Sequence, residues 1–86
     1  MKIKYSNHFE NRLKKRLIKS PQIRKKLKKQ ITLMQMDLRH PSLKVHKLKG
    51  KREDEYSFWV EGNVRITFLI FDDYYLFTDV LTHDEY

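Results

Sequence analysis

At 86 residues the chain has room for one small hydrophobic core and no second domain, so residues 1–86 are read as a single domain with little stability to spare. It has no cysteine, which removes disulfides and thiolate metal sites and fits a reducing cytoplasm; no apolar run approaches the ~20 residues that cross a bilayer, and the first residues do not read as a signal peptide. The net charge of +8 is unevenly spread: residues 1–52 carry 18 of the 19 Lys and Arg against Glu10 and Asp37, whereas residues 53–86 carry Arg65 against nine acids. Such a basic block attracts polyanions, so RNA, DNA and an acidic protein are all candidate partners, beside the plainer reading of a lysine-rich solvated helix face.

Met1 to Tyr5 alternates as a short strand fit to join a sheet at its edge. Asn7 with Glu10 three places on makes a capping box, and Phe9, Leu13 and Leu17 recur at helical spacing, which predicts a first helix from Asn7 to Lys19. Ser20 as N-cap and Pro21 at the first helical position open a second helix. Its stripe of Ile23, Leu27, Ile31, Met34 and Leu38 runs to about Arg39, where Pro41 disfavours a helical His40. So short a link makes the two helices an antiparallel hairpin, with Arg12 and the Lys and Arg residues between 14 and 29 on its outward faces. A linker-like stretch, Pro41 to Asp54, follows and contains Val45-His46-Lys47-Leu48-Lys49-Gly50.

From Tyr56 to Leu81 the chain is dense in aromatic and β-branched residues, broken by Glu61-Gly62-Asn63 and Asp72-Asp73, which predicts a three-stranded antiparallel meander. Reading Glu61-Gly62-Asn63 as a three-residue loop puts Tyr56, Phe58, Val60, Val64, Ile66, Phe68 and Ile70 on one face. The same rule at Phe71-Asp72-Asp73 places Tyr74, Leu76, Thr78 and Val80 on that face and Arg65 opposite Asp79 on the other, with His83 sharing the parity of Asp79 and Leu81. Leu69, Phe71, Tyr75, Phe77 and Trp59 then share the face opposite the helices, an apolar patch that a partner is expected to cover. The expected fold is α+β: a short N-terminal strand and an antiparallel helix hairpin packed on one face of an antiparallel β-sheet.

Cleaving RNA through its own 2′-hydroxyl takes a base for that proton, cations for the charge gathering on phosphorus, and an acid for the leaving 5′-oxygen. Histidine suits either proton transfer near neutral pH, and Arg or Lys suits the charge. A structural role competes for each candidate: Arg65 as the partner of Asp79, His83 as a polar strand end, His46 as a surface loop residue. His8, His40, His46 and His83 lack the spacing of a zinc site, so no metal is expected. Glu53-Asp54-Glu55 reads as a solvated turn, and Gly50 and Gly62 alone make no phosphate-binding loop.

The order of short strand, helix hairpin, His46-Lys47-Leu48-Lys49-Gly50, meander with Arg65 on its middle strand, and closing Thr82-His83-Asp84-Glu85 resembles the RelE/ParE superfamily of bacterial type II toxin–antitoxin toxins. The resemblance spans nearly the whole chain. It is nearest the messenger-RNA-cleaving RelE/YafQ branch, in which Leu-Lys-Gly commonly precedes the sheet and a Gly/Ser/Thr-His-acid segment follows the last strand. What it implies is a cytoplasmic endoribonuclease that cuts messenger RNA on the ribosome, without metal or other cofactor and away from membranes, and that a cognate antitoxin neutralises. By position it implies a catalytic set of His83, Arg65, His46 and Tyr86, and substrate binding by Lys47, Lys49, Lys51 and Arg52. Trp59 stands where some members of that branch place another histidine. Two other readings stay open: a ParE-type inhibitor of DNA gyrase, and a basic RNA-binding module with no activity.

Overall fold

The computed structural model of the protein describes residues 1–16, 20–52 and 54–82, the side chains of Arg16 and Lys51 aside. Strand β1 (Lys2–Tyr5) leads into helices α1 (Asn7–Arg16) and α2 (Pro21–Met36). A 3-10 turn (Pro41–Leu43), the short strand β2 (His46–Lys47) and a second 3-10 turn (Gly50–Arg52) then precede β3 (Tyr56–Glu61), β4 (Val64–Ile70) and β5 (Tyr74–Leu81). The strands form one sheet in the order β1-β5-β4-β3-β2. Strands β3 to β5 form the expected antiparallel meander and β2, within the stretch read as a linker, extends it, but β1 lies parallel to β5, with Lys2 opposite Tyr74 and Tyr5 opposite Phe77, so the sheet is mixed. A parallel pair needs a long crossover, and the helix hairpin begins the one that joins β1 to β5.

The N-cap of α1 is Ser6 rather than Asn7: its Oγ accepts from Phe9 N–H at 3.0 Å. Both residue types cap well, and position decides between them, because Ser6 N–H is itself held by Phe77 O at 3.0 Å at the end of β1. Helix α2 opens as expected, with Ser20 Oγ accepting from Ile23 N–H and Pro21 in its first turn. It ends at Met36, ahead of the expected Arg39, because Asp37 turns extended and its carboxylate accepts Arg39 N–H at 3.0 Å, a local bond that competes with the helix. Residues 17–19, the end of the expected first helix, lie outside the described residues.

The β3–β4 register is the expected one, with Phe58 opposite Ile66 and Trp59 opposite Arg65. Its turn differs. Gly62-Asn63 is a two-residue turn with Gly62 at φ +56°, Glu61 pairs with Val64, and Val60 is the extra residue of a bulge that restores the parity. The β4–β5 register departs from expectation. Phe71 N–H donates to Tyr74 O at 2.9 Å across Asp72-Asp73, so Ile70 meets Tyr75 and Phe68 meets Phe77; a bulge at Thr78 then pairs Thr67 with Asp79, Ile66 with Val80 and Arg65 with Leu81.

The core therefore takes Tyr75, Phe77 and Val80, where Tyr74, Leu76, Thr78 and Val80 were expected, and Arg65 is not opposite Asp79. The expected apolar patch on the far face does not form, since Phe77 is fully buried and Tyr75 nearly so. Packing explains the choice: the Phe77 ring sits 5.5 Å from Phe9 and 5.4 Å from Phe58, and that aromatic cluster joins α1 to the sheet. Leu76 in the same place would bury less area and lack the edge-to-face contact with Phe9.

Asp79, only 4% exposed, becomes a meeting point. Its Oδ1 accepts Val80 N–H at 2.8 Å and lies 3.2 Å from both Arg12 Nε and His8 Nε2; its Oδ2 accepts from Arg52 Nη2 at 2.9 Å. Arg12, expected on the outward helix face, instead turns to the sheet and also donates to Val80 O at 3.3 Å. Burial acting alone would raise the Asp79 pKa. The hydrogen bonds from Arg52 and Val80 and the charges of His8 and Arg12 outweigh it, and the carboxyl is held below its ordinary 3.8.

Replacing Asp79 by Asn leaves Arg12 and Arg52 without their counter-charge. Urea unfolding at pH 7 is expected to show a loss of about 3 kcal/mol, the low end for breaking a buried pair because Arg52 keeps contact with water. A group whose pKa is lowered on folding stabilises above its unfolded value and loses that contribution as pH falls through the folded one. The gap between wild type and Asp79→Asn should thus be full near neutrality and narrow below pH 3.8.

Candidate active site

On the face away from the helices the register strings His46, Ser57, Thr67 and Asp79 into one cross-strand row, each opposite the next. Beside that row Arg65 stands between Trp59 on β3 and Leu81 on β5. The segment from Leu48 to Glu55 folds back over the row. Its ends are tied by Leu48 N–H donating to Glu55 O at 2.9 Å, and Arg52 reaches across to Asp79. Ser57 and Thr67 are buried, and Thr67 Oγ1 lies 2.7 Å from Thr78 Oγ1, which satisfies that buried hydroxyl.

A groove of about 250 Å³ is left open, lined by His46, Leu48, Ser57, Arg65 and Leu81. An imidazole and a guanidinium thus share a cleft with two leucine walls, whose low polarity strengthens the pull of Arg65 on an anion. The parity of the strands explains the meeting: His46 follows Ser57, and Arg65 and Ser57 are both odd positions on the face that the helices leave uncovered.

The other sequence-predicted residues separate. Lys47 points away from His46, as neighbours on a strand do, and lines a larger depression of about 600 Å³ with Asp54, Tyr56, Leu69, Ile70 and Phe71. Lys49 is exposed in the loop next to Leu48. Arg52, expected to bind substrate, is engaged by Asp79 and lies 3.8 Å from Glu55 Oε2, so it holds the loop down. The Lys51 side chain, His83 and Tyr86 lie outside the described residues; Leu81, which lines the groove, precedes His83 by two positions in the chain. Among the described residues no group of three His, Cys, Asp or Glu side chains is placed to hold a metal ion.

Sequence reasoning missed Ser57 and Leu81 as lining residues, and it missed Gln30. Fully buried on α2, Gln30 donates from Nε2 to Ser42 O at 3.0 Å and to Trp59 O at 2.8 Å, tying the helix to the segment before β2 and to β3 beside Arg65. Its place three residues after Leu27 and four before Met34 was the available signal.

No protein-family model matches the chain, and no curated protein matches its sequence. Solved structures match its backbone. YafQ from E. coli strain BL21(DE3) superposes with a TM-score of 0.79 at 21% identity, over 95% of this chain and 92% of that one. The E. coli DinJ-YafQ complex gives 0.76 at 23% identity, over the same 95% and 92%. The fold is that of the RelE/ParE toxins. A YoeB/ParE toxin from Agrobacterium tumefaciens shares it at only 13% identity, with a TM-score of 0.80 over 96% of this chain and 99% of that one. So wide a spread of sequences under one backbone makes the RelE/ParE fold a scaffold whose chemistry has to be read from the side chains.

Gln30→Met keeps the volume and removes both donors. Chemical denaturation is expected to show a loss of about 2 kcal/mol from two stranded carbonyls, and the emission of Trp59 should shift as its backbone anchor goes.

Proposed function

We propose that this chain is the toxin of a type II toxin–antitoxin module and an endoribonuclease that cuts messenger RNA on the ribosome, in the cytoplasm. The observation that carries the reading is the groove in which His46 and Arg65 come together at the end of β5. The fold shared with YafQ and the YoeB/ParE toxin supports it, as does the concentration of 18 Lys and Arg in residues 1–52. No helix among the described residues is long and apolar enough to cross a membrane.

In the proposed reaction the scissile phosphate lies in the groove against Arg65. A base takes the 2′-hydroxyl proton, the 2′-oxygen attacks phosphorus, and the bond to the 5′-oxygen breaks, leaving a 2′,3′-cyclic phosphate and a 5′-hydroxyl. Arg65 stabilises the charge on the five-coordinate phosphorus, His83 protonates the departing 5′-oxygen, and His46 takes the 2′-hydroxyl proton. Lys49, beside Leu48, grips a flanking phosphate, while Lys47 and Lys51 add to the attractive field. Tyr86 belongs to the same proposed C-terminal set. The E. coli DinJ-YafQ complex pairs a toxin of this fold with its antitoxin. For this chain an acidic antitoxin segment is the fitting partner for the basic half.

Arg65→Ala and His83→Gln should each lower cleavage by about 10² or more, the range lost with a charge stabiliser or a proton-transfer group. Primer extension on messenger from cells expressing each variant reads this directly. If both variants cut as wild type does, the assignment fails; if wild type leaves no cuts while gyrase-dependent DNA damage appears, the gyrase-inhibitor reading takes its place.

RNA affinity should also fall steeply with salt, and further when the exposed Lys25 and Lys28 are both changed to Glu, because each neutralised phosphate adds to the salt slope. Fluorescence anisotropy from low to high KCl checks it. A flat response would remove the electrostatic part of the argument.

A further inference from the structure

Trp59 is the one tryptophan of the chain, and the catalytic scheme above gives it no part. Strand β2 pairs only with Tyr56 and Ser57, so from Phe58 onward β3 has no neighbouring strand on that side, and Gln30 of α2 bonds its edge at Trp59 O. On that edge the half-buried indole is approached by two ammonium groups from different elements: Lys44 Nζ lies 4.6 Å from a ring centroid, and Lys26 Nζ, on α2, 5.3 Å. The ring is held in place. Its Nε1 donates to Gly62 O at 2.9 Å, and its own carbonyl accepts from the buried Gln30 at 2.8 Å. Its cross-strand neighbour is Arg65, which lines the groove.

A pre-set aromatic ring with two ammonium groups over it, one strand away from the arginine proposed to hold the phosphate, has the make-up of a single-stranded nucleic-acid contact. The geometry points to Trp59 as a stacking platform for an unpaired nucleobase next to the scissile phosphate, with Lys26 and Lys44 passing from the ring to the phosphates on either side of that base. The inference rests on the RNA-cleaving reading and names how the substrate is seated. Stacking of a base on an aromatic side chain is stronger than a surface cation–π contact, so a base displaces an ammonium from the indole face. The displaced ammonium then finds a fully charged partner in the phosphate. Purines, with the larger π surface, should bind more tightly than pyrimidines.

Because Trp59 is the sole tryptophan, its emission reports the contact without a label. The full chain is titrated with a 2′-O-methyl oligoadenylate, which lacks the attacking hydroxyl and is not cut, and with an abasic oligomer of equal length. Saturable quenching by the oligoadenylate at the midpoint seen by anisotropy, and none by the abasic oligomer, is the expected result. Equal quenching by both, or binding with unchanged emission, would overturn the inference, as would no binding at all.

Trp59→Leu should raise KM about tenfold with kcat held within about twofold, and Trp59→Phe should restore most of the loss, because uniform binding energy is removed and then replaced. Wild-type KM in Trp59→Leu would also overturn it. Cleavage with no quenching sinks the stacking role and spares the nuclease, whereas base-dependent quenching without any cleavage does the reverse.

Discussion

One buried carboxylate holds the parts of this small domain in their relative places. Asp79 pairs with Arg12 and His8 of α1 and accepts hydrogen bonds from its own strand and from the loop between β2 and β3. A charge with so little exposure is tolerated only when it is bonded and paired, and here Val80 N–H bonds Oδ1, with Arg12 and His8 3.2 Å away, while Arg52 bonds Oδ2. The arrangement solves two separate problems. Strand β1 covers β5 only as far as Phe77, and beyond that point Arg12 closes the edge by bonding both Asp79 and Val80 O. On the far face, Arg52 fastens the loop that roofs Ser57 and Thr67, and the groove is the gap that this roof leaves.

The bulge at Thr78 connects that anchor to the candidate chemistry. Continued without a bulge from the Phe68–Phe77 pair, the ladder would set Asp79 opposite Ile66 on the core face and Val80 opposite Arg65. The extra residue hands Asp79 to Arg12 and Arg52 and sets Arg65 opposite Leu81, in a cleft with an imidazole. Bulges commonly re-aim side chains beside functional sites, and this one does so while keeping Phe77 and Val80 in the core. The guanidinium is thus carried by the middle of a sheet, a more rigid mount than a loop.

The charge distribution follows the same division of labour. In sequence most of the positive charge belongs to residues 12–29 and to the segment from Lys44 to Arg52, while residues 53–86 supply the acids, of which Asp79 is fully engaged. Trp59 lies where the two basic regions meet, with Lys26 from one and Lys44 from the other. A polyanion attracted to either region is therefore led to the edge of β3, and from there Arg65 is the next residue across the sheet.

Much of this was legible in the residues because the rules involved are short-ranged. Ser20-Pro21 opens α2, helical spacing marks Phe9, Leu27 and Met34, and strict alternation puts Arg65 on the face away from the helices. The order of basic loop, middle-strand arginine and terminal histidine was enough to suggest the RelE/ParE fold that the backbone has. What escaped were choices made between distant segments. Whether Leu76 or Phe77 enters the core depends on the space that Phe9 and Phe58 leave, and that choice carries the Thr78 bulge and the Arg65 register with it. Gln30, Arg12 and Arg52 look like surface residues in sequence. They turn inward because a buried carbonyl or carboxylate from another element needs their donors, and no local pattern records a need that arises only when the two are packed together.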